Sequence, residues 1–146
     1  MRVTFYKVDG GRLCAWRAQI HKHRPFQGTT MASGRTLPHD LAQFVVESLL
    51  GLPQGFWSLL ADGATFESVH RRRTKPGRRV VSTHRAALVA TEHIVNAHVA
   101  AWRAHAPTPV GPALDAMLAR WRELPVGDEL SVEWPAIRPP RAARSH

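Results

Sequence analysis

The stretch that decides the fold is TLPHDLAQFVVESLLGLPQGFW, residues 36–57. Leu41, Phe44, Val45, Leu49 and Leu52 recur there at helical spacing, the pattern of an amphipathic helix with one buried stripe. The spacing predicts a helix over 38–51. Thr36 is placed to cap its start, and Pro38 is tolerated in a first turn, where no N–H partner is lost. Gly51 and Pro53 stop it. A short second helix over 54–61 carries Phe56, Trp57, Leu59 and Leu60, and Asp62-Gly63 ends it. Helices so apolar on one side need a sheet or further helices to cover them.

Both are predicted nearby. Residues 2–8 and 12–20 form two strands around the turn Asp9-Gly10-Gly11, which reads as a β-hairpin. Val3 and Phe5 face one way, with Cys14, Trp16, Ala18 and Ile20 beside them; Arg17 and Gln19 face the other. Residues 21–24 read as a polar exit, and 26–35 as a loop or weak third strand near 29–32. Residues 64–69 suggest one more helical turn. Residues 70–79, HRRRTKPGRR, read as an exposed loop, since Pro76 and Gly77 disfavour regular structure. Leu88, Val95, Val99 and Trp102 then mark a long helix over 83–105. Leu114, Met117, Leu118 and Trp121 mark another over 112–124. Leu130, Val132 and Trp134 alternate with polar residues in a strand over 129–134. That strand is expected to return to the hairpin, because a two-stranded sheet is marginal alone. The fold class is α+β: a small antiparallel sheet, from the N-terminal hairpin plus the C-terminal strand, packed against about four helices. Residues 1–135 are expected to be a single domain and 136–146 a disordered Arg/Pro-rich tail.

Three segments carry a resemblance: LPHDLAQFVVE (37–47), LGLPQGFW (50–57) and RWRELPVGDELSVEWP (120–135). In order and spacing they resemble a group of small bacterial proteins with no assigned activity. The pattern covers most of the chain except the basic segment and the tail. Gln43 stands where the pattern often has His, and Ser58 where it often has Gly. The resemblance implies the architecture and no activity.

The 146 residues carry a formal charge of +9 and a hydrophobic fraction of 44%. No apolar run approaches the roughly 18 residues of a membrane span, and the N-terminus lacks the apolar block of a secretory signal, so a cytoplasmic location is expected. The single Cys14 excludes an internal disulfide framework and reads as a buried thiol. The positive charge favours nucleic acid or another anionic macromolecule as partner. Its richness in Arg, Ala and Pro is also the composition a GC-rich genome produces.

Two constellations could carry chemistry. Arg71, Arg72, Arg73, Lys75, Arg78 and Arg79 form the densest basic run, suited to neutralising phosphates by counterion release. No aromatic residue interleaves it, so base stacking is not indicated, and any nucleic-acid binding is expected to be backbone-driven and of low specificity. Elsewhere, His39, Gln43 and Glu47 fall at i, i+4, i+8 with Asp40 beside them. His39, Asp40 and Glu47 could act as acid and base, or His39 and Glu47 could hold a divalent metal with His84, His93 or His98 from the long helix. The plain alternative is the solvated face of an amphipathic helix, with Asp40 opposing the helix dipole. The sequence therefore supports first a non-enzymatic binding or accessory module for an anionic partner, and second a small metal-dependent enzyme or metal-binding protein. No cofactor motif is present.

Overall fold

A computed structural model describes residues 1–20, 25–63 and 75–135, with side chains described from Arg85 onward in the last segment. Strands β1 (Arg2–Val8) and β2 (Leu13–Gln19) form the expected hairpin through a 3-10 turn at Asp9–Gly11. Two short strands follow, β3 (Phe26–Gln27) and β4 (Met31–Ala32), and both pair with β2. Helices α1 (His39–Leu50), α2 (Phe56–Ala61), α3 (Lys75–Arg103) and α4 (Gly111–Glu123) come next, and β5 (Glu129–Glu133) returns to the sheet. All pairings are antiparallel, in the order β3-β2-β1-β5. The α+β architecture and the return of the last strand to the hairpin are as the sequence implies.

The register explains the two faces of the sheet. Phe5 stands opposite both Trp16 and Leu130, and Val3 opposite Ala18 and Val132, so the inner face is apolar across three strands. The outer face is polar. Arg2 bonds Glu133 at 2.9 Å, Thr4 shares a 2.9 Å hydroxyl contact with Ser131, and Arg17 bonds Glu129 at 2.7 Å.

Against the inner face lies α1, and its environment departs from the amphipathic expectation. Every residue from Leu41 to Ser48 is buried, Gln43 and Glu47 included. The stripe at 43 and 47 is therefore not a solvated face: sheet, α2, α3 and α4 surround the helix. Trp57 is the hub of the core, with ring centroids 4.8 Å from Trp16, 5.4 Å from Phe44, 5.8 Å from Phe5 and 5.0 Å from Phe56. Burying one such ring removes on the order of 200 Å² from water, worth roughly 5 kcal/mol.

Other expectations change in detail. Thr36 does not cap α1; its hydroxyl donates to the Ser33 carbonyl at 2.6 Å, and Pro38 occupies the cap position, accepting the first helical bond from Ala42. The weak strand near 29–32 resolves into β3 and β4, with Gly28 donating to the Trp16 carbonyl between them. Helix α3 starts at Lys75, two turns before the expected Thr83, so residues 75–79 are helical rather than loop. Pro76 stands in the first turn, where its missing N–H costs no hydrogen bond, and so marks a start instead of a break. The helix ends at Arg103, and His105 beyond it takes a left-handed conformation (φ 56°). The stripe of α3 is as read: Leu88, Val95 and Val99 are buried, Thr91 with them, and Trp102 is half-buried. The expectations for 21–24, 64–74 and the tail lie outside the described residues.

No helix among the described residues is long and apolar enough to cross a membrane.

Candidate functional site

Glu47 is the most buried charged side chain described, with no exposed surface. Its backbone carbonyl accepts from the N–H groups of Gly51 and Leu52, closing α1 around a left-handed Gly51 (φ 63°). Its side chain turns to the next helix. Oε1 accepts from the Trp57 backbone N–H at 3.1 Å, and Oε2 from the Gln43 amide at 2.9 Å. The carboxylate therefore caps the N-terminus of α2, where N–H groups lack helical partners. Gly55 makes the approach possible, because a Cβ there would collide with the carboxylate. Burial pushes the Glu47 carboxyl up to about 7, against the pull of Gln43 and the α2 amides.

Asp40 serves a different neighbourhood. Its Oδ2 accepts from the Trp16 indole at 2.8 Å, and its backbone carbonyl from the Trp57 indole at 3.1 Å. Its Oδ1 lies 3.2 Å from Nδ1 of the exposed His39. That contact raises the His39 pKa, partly offset by burial. His39 and Glu47 are separated by about 12 Å of helix rise, and their side chains face solvent and core respectively. So His39 and Asp40 are brought together, and Glu47 is not joined to them. His98 contacts the Thr108 hydroxyl at 2.8 Å, tying α3 to the turn before α4. Among the described residues no group of three His, Cys, Asp or Glu side chains is placed to hold a metal ion. The side chain of His84 and those of Arg71, Arg72, Arg73, Lys75, Arg78 and Arg79 lie outside the described residues. Cys14 is buried, and its thiol is pushed up to about 12 by burial, with the Asp40 charge adding to the rise.

A second concentration of charge among the described residues lies elsewhere. A cleft of about 330 Å³ is lined by Lys7, Arg12, Arg35 and Arg122, with Gly10, Gly11, Gly34 and Val126 completing its wall. Among the described residues no carboxylate lines it. The fold assembles it from four separate places. Pairing of β4 with β2 sets Ala32 opposite Leu13, and the N–H groups of Ser33 and Gly34 then donate to the Arg12 carbonyl. That bond carries Arg35 next to the hairpin turn. The α4 end is tied in by two contacts: Trp121 donates to the Ser33 hydroxyl at 2.9 Å, and Arg122 Nε to the Arg35 carbonyl at 2.9 Å. Lys7 reaches across from β1, its Nζ donating to the Leu124 carbonyl at 2.6 Å and lying 5.2 Å from the Trp121 ring centroid. Among the described residues only Asp9, paired with Arg12, offsets any of the four cations.

The chain matches no protein-family model, no curated protein and no solved structure.

Sequence reasoning missed this cleft because its cations are scattered singly over 116 positions rather than gathered in a run. One signal was present: two of the four, Arg12 and Arg35, directly follow turn glycines, Gly11 and Gly34.

Proposed function

We propose that this protein is a binding module for an anionic partner and that the basic cleft is part of its contact surface. One observation carries the reading: Lys7, Arg12, Arg35 and Arg122 share a single concave site that, among the described residues, no carboxylate lines. Like charges held this close repel one another, and an anion seated between them relieves that repulsion. The formal charge of +9 draws such partners from a distance. The basic segment Arg71, Arg72, Arg73, Lys75, Arg78 and Arg79 belongs to the same reading as a second, auxiliary surface.

The test is retention on immobilised heparin, together with affinity for long-chain polyphosphate at two salt concentrations. The Arg12→Gln, Arg35→Gln, Arg122→Gln triple variant is expected to elute at lower salt and to lose at least about tenfold in affinity. A parallel variant with Arg71, Arg72, Arg73, Arg78 and Arg79 changed to Gln ranks the two surfaces. If a folded triple variant keeps the wild-type affinity and salt dependence, the cleft is not the site.

A further inference from the structure

The basic cleft does not stand alone. A second cleft of about 510 Å³ opens between the end of α3 and α4, and Arg122 lines both. The second cleft differs in chemistry. Trp102, Arg103, His105, Asp115 and Leu118 are among its lining residues. The Trp102 indole N–H donates to Asp115 Oδ1 at 2.8 Å, so the edge of a half-buried ring is fixed in place. One cleft is cationic with a glycine-rich wall; its neighbour holds an anchored aromatic ring among Asp115, Arg103 and the shared Arg122.

From this juxtaposition we infer that the partner is single-stranded nucleic acid, with a backbone phosphate in the Lys7/Arg12/Arg35/Arg122 cleft and an adjoining base against Trp102. The inference rests on the anion-binding reading and names its ligand class. Single strands are held by cationic grooves that follow the backbone, combined with aromatic side chains on which bases stack. Asp115 is taken up by the Trp102 indole, and Arg103 and Arg122 line the second cleft too, so the backbone can continue past the first cleft while Trp102 takes the base. A duplex fits poorly, because its bases are stacked inside and proteins reach them with protruding helices or ribbons; a concave cleft receives an unstacked base. An acidic peptide has charge for the first cleft and no required ring for the second. Each cleft falls within the size range of small-ligand sites.

The experiment uses the full chain and a fluorescently labelled ten-nucleotide single strand, with a hairpin duplex, polyphosphate and poly-glutamate as alternative probes. Wild type is expected to bind the single strand at least about tenfold more tightly than the duplex or poly-glutamate. Trp102→Ala is expected to weaken single-strand binding by roughly 5- to 100-fold while leaving polyphosphate affinity and salt slope unchanged. Arg35→Gln with Arg122→Gln is expected to weaken both ligands and to lower the single-strand salt slope by about 1.4. Trp102→Phe keeps an aromatic ring in the packing. Adding the single strand is expected to quench tryptophan emission in wild type and not in Trp102→Phe, a readout that does not depend on a destabilising change. Equal affinity for duplex or poly-glutamate, or full binding and undiminished quenching without Trp102, overturns the inference. Loss of polyphosphate binding in the Arg variants alongside that result leaves the anion-binding reading standing. Unchanged polyphosphate binding in those variants refutes the reading itself.

Discussion

Gly55→Ala should be far more damaging than one added methyl group suggests. The backbone is not the reason: Gly55 has φ −85° and ψ 179°, a conformation open to any residue. Replacing Gly by Ala at such a position ordinarily stabilises by about 0.4–1 kcal/mol through the unfolded chain. Here a Cβ would lie closer than 3.0 Å to Oε1, Cδ and Cγ of Glu47, a side chain with no exposed surface and both oxygens bonded. Either the carboxylate abandons its two charge-assisted bonds, worth about 1.5–3 kcal/mol each, or α2 shifts at an overpacking cost of about 1–3 kcal/mol. The net loss is expected to be about 2 kcal/mol. Glu47→Ala alone should cost a similar amount, since it empties the cap and leaves buried donors unpaired. In the double variant the new methyl enters the space the carboxylate left, so the two losses should not add. Urea unfolding followed by tryptophan fluorescence, across all four members of the cycle, should give a coupling of about 2–3 kcal/mol. Additivity within about 0.5 kcal/mol would show that the Glu47 carboxylate does not occupy the space beside Gly55.

Three further outcomes follow from the same region. The Glu47 carboxyl, raised from 4.5 to about 7, binds its proton more tightly in the folded state, so its contribution is present below pH 4.5 and lost as pH climbs to about 7. Wild type should therefore lose about 3 kcal/mol relative to Glu47→Gln between those pH values, and a constant difference in urea stability from pH 4.5 to 8 would contradict it. Asp40→Asn should lower the His39 pKa, read from the imidazole proton shifts by NMR, because the Asp40 contact is the largest cause of its rise. Cys14, buried and pushed up to about 12, should resist a thiol reagent at pH 8 in the folded protein and react fully in urea; fast labelling of the native state would count against the packing described.

The hairpin, α1, α4 and β5 were legible because periodicity and turn residues are local signals. The start of α3 was not, because Pro76 and Gly77 were weighed as breakers without regard to their place in a first turn. The inward orientation of Gln43 and Glu47 was hidden for a different reason. A helical wheel puts polar residues outside unless another element supplies partners, and here that element is α2. The hints were indirect: a Gly directly before Phe56-Trp57, and a lone glutamate amid apolar residues. His39 and Asp40 are in contact, and Asp40 is also committed to Trp16, a strand residue 24 positions earlier, which no local pattern shows. The basic cleft depended on tertiary contacts throughout. Nothing in the sequence shows that the Ser33–Arg35 turn docks on Arg12 or that Lys7 meets the end of α4.

The placement of β5 bears on how this protein avoids sticking to itself. It closes the described sheet on one side, so its outer row of backbone groups is a template for another chain's strand. The strand is only five residues long, ELSVE, and Pro125 and Pro135 bracket it in the chain. Its outward carboxylates, Glu129 and Glu133, are held by Arg17 and Arg2 from the inner strands. Those ion pairs are exposed and add little to stability. Their more useful effect is to hold charged side chains along this edge of the sheet, where pairing with another chain's strand, and hence aggregation, would otherwise begin.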